Sequence, residues 1–248
     1  MDRFFVPAGI LKTKKIVLER ELSHRLRHVL RLRSGDHVIL LDGRGSEHEV
    51  EIEEVDSPHV TAHVVAQHEG LAEPKTRVTL YQSLIKGDRF DWVLEKGTEI
   101  GVSRFVPLLT RRSVMRPRPE RSERSERWQR IVREAAEQCG RSVLPEVTPP
   151  MELPDALKAA RGLCLLPWEN EDGVSLRSAL RQAVQSPEGV KEVSLFIGPE
   201  GGFARQEVDS VLEQGMRTVS LGSRILRSET AGIVAAAAVL YELGELGD

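Results

Sequence analysis

The residues best suited to chemistry lie near the carboxyl end of the sequence, in LGSRILRSETA (residues 221–231). This stretch carries Arg224, Arg227 and Glu229, and it leads into an alanine-rich segment with almost no polar side chains. Arginine guanidinium groups orient anionic substrates and stabilise negative charge that develops during a reaction. Arg224 and Arg227 are therefore candidates for orienting a substrate or stabilising charge. For Arg227, a phosphate contact and a salt bridge to Glu229 are the alternatives.

A second unusual stretch, FIGPEGGF (residues 196–203), combines three glycines with a proline. Such a turn leaves backbone N–H groups free and keeps side chains away, which suits a ligand held mainly by backbone hydrogen bonds. A simple tight turn is the alternative. If the turn does bind a ligand, a bulky β-branched residue at Gly201 is expected to abolish that binding.

Both stretches belong to a region where apolar strands alternate with amphipathic helices. Strands are predicted at residues 78–84, 104–109, 162–168, 193–197 and 218–221, and helices at residues 88–100, 122–139, 175–184, 204–214 and 228–243. This alternation predicts an α/β domain whose mostly parallel sheet is covered by helices on both faces. Ligands of such sheets bind beyond the carboxyl ends of the strands. LLPWE (165–169), GPEGGF (198–203) and LGSRILR (221–227) follow three of those ends.

The familiar nucleotide-binding fingerprints are absent from the sequence. No GxxxxGK[ST] phosphate loop occurs, and GxGxxG is not matched, because Gly43-Arg44-Gly45 leads to His48 inside a predicted hairpin. An enzyme of the dinucleotide-binding type is therefore disfavoured.

Residues 1–71 form a separate, β-rich pattern. Strands are predicted at residues 36–41, 47–55 and 59–65, a hairpin turn at 42–45 and a short helix at 23–30. The polar stretch 67–77 is the predicted linker. The sequence thus predicts two domains, residues 1–71 and residues 75–248.

Composition limits the kind of protein. With 40% hydrophobic and 29% charged residues, the chain resembles an ordinary globular protein. The longest apolar run is too short for a membrane span, and the amino terminus has no signal-peptide pattern. Cys139 and Cys164 have no CxxC spacing, so neither a disulfide framework nor a zinc site is expected. His24 and His28 lack a third ligand nearby, and no metal is predicted. These features predict a cytoplasmic protein.

Arginines are segregated, although the net charge is only −3. Residues 111–133 hold nine arginines against three glutamates, and residues 20–33 hold five arginines against one glutamate. Clusters of this kind favour a local anionic partner such as an RNA backbone. A solvated helix face with salt bridges is the alternative for each cluster.

FIGPEGGF and LGSRILRSETA together resemble the RsmE family of 16S ribosomal RNA uridine N3-methyltransferases, which belongs to the SPOUT superfamily. Further similar segments are EAAEQCGRSVLPEV (134–147), KGDRFDWVLEKGTEIGVSRFVPLLTRRS (86–113) and HVLRLRSGD (28–36). The resemblance spans nearly the whole chain. It implies a small PUA-like β-barrel followed by a SPOUT-type α/β domain, whose mostly parallel sheet ends in a C-terminal trefoil knot.

The resemblance also implies an activity and its partners. The family uses S-adenosyl-L-methionine, bound in the knot, to methylate N3 of a uracil base in ribosomal RNA or the small ribosomal subunit, and its members are homodimers. LGSRILR is then expected to wrap the adenosyl group. The small residues of the last helix, Gly232 and Ala235 among them, are expected to let it pack closely against neighbouring backbone, with Ser228 as the helix cap.

The site residues follow from the same resemblance. Arg227 is expected to be catalytic. The cofactor-binding residues are expected to be Leu165, Leu166, Ile197, Gly198, Pro199, Glu200, Gly201, Leu221, Gly222, Ile225, Leu226, Thr230 and Ala231. The RNA contacts are expected from Arg3, Arg27, Arg31, Arg112 and Arg141, together with the arginines of residues 116–127.

Methylation at N3 requires loss of the imide proton, so a base or a stabilising cation is needed. All seven histidines precede residue 69, and the α/β region therefore offers only carboxylates or arginines. Glu99 and Glu200 are weaker candidates than Arg227, since Glu99 can pair with Arg104 and Glu200 can be a turn residue. No general base is assigned. An RNA-binding protein without activity, and a SPOUT methyltransferase acting on another base, are the alternative functions.

Overall fold

The structure is a computed structural model that describes residues 1–55, 58–70, 73–113, 122–186 and 189–247. The chain divides into two compact units. The first unit contains Met1–Glu73 and Ala136–Leu144, and the second contains Pro74–Ala135 and Pro145–Asp248. The sequence pattern divides the chain once, in the polar linker, and gives no sign that residues 136–144 return to the first unit.

The first unit is built on a mixed sheet. Its strands are β1 (Arg3–Phe5), β2 (Ile16–Val17), β3 (His37–Leu41), β4 (Ser46–Glu54) and β5 (Thr61–Glu69), and the helix α1 (Arg20–His24) continues into a π-helical turn (Arg25–Val29). The strand order is β1-β3-β4-β5-β2. Strands β1 and β3 are parallel, and the other pairs are antiparallel.

Alternation of apolar and polar residues explains this sheet. Val38 of β3 pairs with Val50 of β4, and Leu40 pairs with His48. Val38, Leu40 and Val50 are fully buried. Side chains two apart share a face of a strand, so the apolar set forms one core face. The predicted hairpin turn is confirmed, because the Asp42 carboxylate accepts hydrogen bonds from the backbone N–H groups of Arg44 and Ser46.

Residues 136–144 join this unit through a buried ion pair. Arg141 is 3% exposed, and its guanidinium donates to the Glu73 carboxylate at 2.8–3.3 Å. The same carboxylate accepts the backbone N–H groups of Ser142 and Val143. The guanidinium that was expected to contact RNA is therefore paired with Glu73, and an RNA phosphate could reach it only if this network opened.

We expect Arg141→Ala to destabilise the protein by about 3–5 kcal/mol, because it leaves a partly buried carboxylate without its cation. Urea unfolding followed by circular dichroism measures this loss. Arg104→Ala is the matched control, because Arg104 pairs with Glu146 at 3.2 Å in a much more exposed setting. The control is expected to lose about 1 kcal/mol or less. Equal losses in the two variants would contradict a structural role for Arg141.

The second unit is built on a parallel sheet. Its strands are β6 (Arg77–Ser83), β7 (Arg104–Leu109), β8 (Glu146–Val147), β9 (Met151–Glu152), β10 (Leu163–Pro167), β11 (Glu192–Ile197) and β12 (Arg217–Val219). Its helices are α2 (Arg89–Ile100), α3 (Ser122–Cys139), whose last residues belong to the first unit, α4 (Leu153–Ala159), α5 (Leu176–Val184), α6 (Arg205–Glu213) and α7 (Ser228–Glu242). The strand order is β12-β10-β11-β6-β7-β8, with β9 also paired to β7.

The predicted mixed α/β architecture with a parallel sheet is confirmed, since every strand pair of the second unit within the described residues is parallel. The central strands are buried on both faces. Tyr81 of β6 and Phe196 of β11 stack with their ring centroids 4.3 Å apart. Strands β8 and β9 and helix α4 were not predicted, because two-residue strands and a seven-residue helix carry too little periodicity.

The last helix, α7, packs against α2, α5, β6 and β11. Gly232, Ala235 and Ala236 are buried on it. The expectation that Ser228 caps this helix is wrong. The N-cap residue is Arg227, and the Ser228 hydroxyl donates instead to the carbonyl oxygen of Gly198. In the part of the chain that the structure describes, no helix combines the length and the apolar character needed to cross a membrane.

Candidate functional site

A cavity of about 800 Å³ lies where the chain leaves β10, β11 and β12. The three strand ends that the sequence singles out therefore meet. The predicted residues that line the cavity are Ile197, Gly198, Pro199, Glu200, Gly201, Leu221, Gly222, Ile225, Leu226, Arg227 and Ala231.

Leu165, Leu166 and Thr230 are not among the lining residues. Leu165 and Leu166 are fully buried inside β10, because both faces of this strand are covered. Thr230 lies in the first turn of α7, where Ser228 and Ala231 face the cavity instead. Residues three apart share one face of a helix, which explains why these two line the cavity and Thr230 does not.

Some lining residues belong to the three expected loops but were not named individually as cofactor-binding residues, namely Pro167, Trp168, Glu169, Gly202, Phe203, Ser223 and Arg224. The lining residues outside those loops were not predicted, and they are Arg89, Glu171, Asp172, Ser220 and Ser228. Most of them follow a strand within a few residues, so their place in an exit loop was the available signal. Arg89 is different, since it begins α2 and comes from a part of the sequence more than a hundred residues away.

The turn after β11 is shaped by Gly198 rather than by Gly201. A Cβ atom at Gly198 would lie 3.1 and 3.2 Å from two ring carbons of Phe203, which is buried. A Cβ at Gly201 would meet Arg112 at an ordinary 3.5 Å. Gly202 has a φ of 65°, a left-handed conformation that favours glycine. Within this turn, an added Cβ is therefore least tolerated at Gly198 and Gly202. We expect a side chain at Gly198 to disturb the turn more than one at Gly201.

The loop after β12 offers unpaired backbone groups and an apolar side chain. None of the backbone N–H groups of residues 223–226 has an acceptor among the residues that the structure describes. Ile225 lines the cavity and is 79% exposed. Exposed apolar area beside free N–H groups is typical of a site for a flat, partly polar ligand.

An arginine bridges two walls of the cavity. Arg89 donates to Glu200 at 2.9 Å and lies 3.7 Å from Glu229 in the first turn of α7. Burial alone would raise the pKa of Glu200, but hydrogen bonds from backbone N–H groups, including that of Lys86, and the Arg89 charge lower it. Glu200 is thus held as an ionised, paired carboxylate.

Arg227 and Arg224 carry the free positive charge of the cavity. Both side chains line it and are exposed, and neither has an ion-pair partner within the described residues. The salt bridge between Arg227 and Glu229 that the sequence left open is not formed, since Glu229 lies beside Arg89 instead. Glu99 pairs with Lys96 at 2.7 Å and is not a lining residue.

The cavity lining also includes the acidic residues Glu169, Glu171 and Asp172. Glu171 accepts hydrogen bonds from the Thr218 hydroxyl and from the backbone N–H groups of Gly173 and Val174. The bond from Thr218 is the main cause that lowers the pKa of Glu171 below its ordinary value of 4.5, although burial opposes it. A carboxylate thus remains ionised in the cavity lining.

This lowered pKa predicts a pH-dependent stability. The hydrogen bonds to Glu171 stabilise the folded chain above its ordinary pKa of 4.5, and that stabilisation is lost as the pH falls through the lowered pKa. Thr218→Val is therefore expected to destabilise the protein at about pH 7, and its difference from wild type is expected to shrink at about pH 3.

Urea midpoints at the two pH values measure the effect, and Thr98→Val is the control. Thr98 is fully buried and donates to the backbone carbonyl of Leu94. Because that acceptor does not titrate, the stability lost in Thr98→Val is expected to be independent of pH. If the stability lost in Thr218→Val were the same at both pH values, the hydrogen bond from Thr218 would not be what lowers the pKa of Glu171.

The predicted RNA-contacting arginines are distributed over both units. In the first unit, Arg3 pairs with Glu47 at 2.7 Å, and exposed Arg31 has a φ of 57°, which is rare for a residue other than glycine. Arg27, in the π-helical turn, is half-buried. In the second unit, Arg112 donates to the carbonyl oxygen of Gly201 at 2.8 Å.

Part of the predicted arginine group at residues 116–127 lies outside the described residues, namely Arg116, Arg118 and Arg121. Arg127 is described, and it pairs with Asp88 and Asp91. The rings of His24 and His28 have centroids 4.6 Å apart and planes tilted by 42°. Within the described residues, no group of three or more His, Cys, Asp and Glu side chains is arranged to hold a metal ion.

Comparisons with known proteins show two matching family models and several full-length relatives. The model of the RNA methyltransferase domain family matches residues 72–240, and that of the RNA methyltransferase PUA domain family matches residues 18–65. The chain is 31% identical to ribosomal RNA small subunit methyltransferase E of Bacillus subtilis, over 98% of this chain and 97% of that protein. It is 36% identical to the Synechocystis protein of the same name, over 90% of this chain and 72% of that protein.

Solved structures are similar over the full length. Ribosomal RNA small subunit methyltransferase E of Neisseria gonorrhoeae, bound to S-adenosyl methionine, has a TM-score of 0.85 and 30% identity, with 97% of each chain covered. A Legionella pneumophila protein in complex with the bound cofactor SAM has a TM-score of 0.86 and 30% identity, again with 97% of each chain covered. The chain therefore belongs to the ribosomal RNA small subunit methyltransferase E family of RNA methyltransferases.

Proposed function

We propose that this protein transfers the methyl group of S-adenosylmethionine to N3 of a specific uridine in small-subunit (16S) ribosomal RNA. The observation that carries the proposal is the cavity at the ends of β10, β11 and β12. It lies in a chain that is 30% identical, over 97% of its length, to a methyltransferase solved with S-adenosyl methionine. The position on the base and the uridine itself rest on the resemblance of FIGPEGGF and LGSRILRSETA to the RsmE family.

The residues of the cavity fit this methyl donor. The unpaired N–H groups of residues 223–226 suit the ring nitrogens of an adenine, and exposed Ile225 suits its flat face. The Gly198 turn gives backbone access to the ligand. When bound, S-adenosylmethionine supplies a methyl group on a positively charged sulfur. The volume of about 800 Å³ falls in the usual range for sites that enclose a small molecule.

The part played by Arg227 follows from its surroundings. The imide at N3 must lose a proton before it can attack, and a nearby guanidinium stabilises the resulting anion. Glu200 is a poor proton acceptor, because its pKa is lowered and Arg89 holds it. Arg227 is exposed at the cavity wall without an ion-pair partner in the described part of the chain. It is therefore the residue that stabilises charge on the base.

Four further features belong to the same proposal. The carboxyl-terminal segment forms the trefoil knot of the SPOUT superfamily, which the junction of three strand exits with α7 supports. The protein is a homodimer. RNA is bound by Arg3, Arg27, Arg31 and Arg112, of which Arg112 lies beside the cavity turn at Gly201. The protein acts in the cytoplasm, where its proposed substrate is assembled.

The test is reconstitution with purified protein, S-adenosylmethionine and small ribosomal subunits from cells that lack the enzyme. Mass spectrometry of the digested RNA is expected to find one new N3-methyluridine. Calorimetry with S-adenosylmethionine alone provides the second readout. Binding of RNA with neither donor binding nor methylation would replace the proposal with that of an RNA-binding protein without activity. Methylation of another base would correct the substrate.

A further inference from the structure

Gln82, at the end of β6, is a fully buried polar side chain next to the cavity walls. Its Nε2 atom donates to the Ser228 hydroxyl at 2.9 Å. The Ser228 hydroxyl in turn donates to the carbonyl oxygen of Gly198. Gly198 and Ser228 both line the cavity, on the turn after β11 and on the first turn of α7. A relay of two hydrogen bonds, the first buried and the second partly buried, thus connects two walls of the site.

The direction of this relay is fixed by hydrogen-bond chemistry. A carbonyl oxygen only accepts, so the single hydroxyl proton of Ser228 must point toward Gly198. The hydroxyl oxygen is then available only as an acceptor toward Gln82. The glutamine must therefore present its NH₂ group, not its oxygen, to Ser228.

The oxygen atom of the Gln82 amide explains why residue 232 is a glycine. A Cβ atom at Gly232 would lie 2.4 Å from Oε1 of Gln82. Gln82 cannot withdraw from such a contact, since it is fully buried. A side chain at position 232 and the relay cannot both be present, so Gln82, Ser228 and Gly232 form one interdependent set.

We infer that Gln82 is a positioning residue of the methyl-donor site, acting through Ser228 on the carbonyl group of Gly198. By holding that carbonyl toward α7, the relay fixes the separation between the Gly198 turn and the Arg227–Ser228 wall. Gln82 does not line the cavity, and its effect is exerted entirely through Ser228. The inference rests on the proposed function, because the site must bind S-adenosylmethionine for positioning to matter.

Two substitutions break the relay in different ways. Ser228→Ala removes both hydrogen bonds. Gln82→Glu keeps the shape of the side chain, and its carboxyl group can donate to Ser228 only while it is protonated. Measured at a pH above the pKa that burial raises, the carboxylate can only accept and competes with Gly198 for the Ser228 proton. Each variant is expected to weaken binding of S-adenosylmethionine by about tenfold or more, because the partly buried carbonyl group of Gly198 loses its partner. At saturating donor, kcat is expected to stay within about threefold of wild type, since the relay does not touch the reacting atoms.

Ser194→Ala is the matched control. Ser194 is 2% exposed, lies on β11 with its hydroxyl donating to the carbonyl oxygen of Arg161 at 2.8 Å, and is not a lining residue. Its hydroxyl makes the same kind of partly buried hydrogen bond to a carbonyl oxygen as that of Ser228. The melting temperature of Ser194→Ala is therefore expected to fall by about as much as that of Ser228→Ala. Its affinity for S-adenosylmethionine is expected to stay within about twofold of wild type.

The inference is tested by measuring donor affinity by calorimetry and melting temperature by thermal unfolding for wild type and the three variants. Weak donor binding by Ser228→Ala and Gln82→Glu, with normal binding by Ser194→Ala, supports it. Equal donor affinity in all three variants overturns it, while binding by wild type leaves the proposed function intact. Absence of binding by wild type overturns both. If Ser228→Ala fails to fold, Gln82→Glu, which keeps side-chain size, carries the comparison alone.

Discussion

Gly198→Ala is expected to weaken binding of S-adenosylmethionine by roughly tenfold to a hundredfold, because over-packing at a tight site costs about 1–3 kcal/mol. The added carbon would lie 3.1 Å from the Phe203 ring and 3.3 Å from the backbone of Gly202. Phe203 is 3% exposed and cannot move aside, so the turn itself has to open. Opening the turn displaces the backbone that lines the cavity.

Gly201→Ala is the matched comparison in the same turn. Its added carbon would lie 3.5 Å from Arg112, an ordinary contact with an exposed side chain. We expect a much smaller loss of affinity, measured by calorimetry under the same conditions. If Gly201→Ala weakened binding as much as Gly198→Ala, the turn would be sensitive to any side chain, and contact with Phe203 would not be the cause.

Arg227→Ala is expected to lower kcat by about a hundredfold to a thousandfold, the usual cost of removing one group that stabilises a developing negative charge. Donor affinity is expected to change by about threefold or less, because backbone groups hold the donor. The difference in kcat between Arg227→Ala and wild type is expected to shrink as the pH rises. At higher pH, more of the uracil base loses its N3 proton without stabilisation by a guanidinium group. Single-turnover methylation of ribosomal RNA across a pH series measures both effects.

Arg224→Ala separates a catalytic effect from a general effect of charge. Arg224 lies in the same loop, lines the same cavity and is likewise exposed. Its loss is expected to raise the KM for RNA more than it lowers kcat, because phosphate attraction falls off with each cation removed. Small and equal effects of Arg227→Ala on kcat and on donor affinity would instead assign a structural role to Arg227.

Much of the second unit was predictable from local patterns. The helix at Ser122–Cys139 and the strand at Arg104–Leu109 have the predicted bounds. A long apolar stripe with helical spacing indicates a helix, and a short continuous apolar run indicates a buried strand. The place of the cavity was also predictable, since ligands of parallel sheets bind beyond the strand ends. Local patterns failed at β8 and β9, where pairing with β7 rather than residue type defines the strand.

The sequence by itself determined the alternation of strands and helices typical of a parallel sheet, the glycine turn and the family. Only the tertiary structure decided what individual polar side chains do. Arg141 contacts Glu73 instead of solvent, Ser228 bonds Gly198 instead of capping its helix, and Gln82 reaches Ser228 from a strand 146 residues earlier. Periodicity reports how a residue relates to its near neighbours in the chain. Hydrogen bonds between distant residues depend on where the chain returns, and no local pattern contains that information.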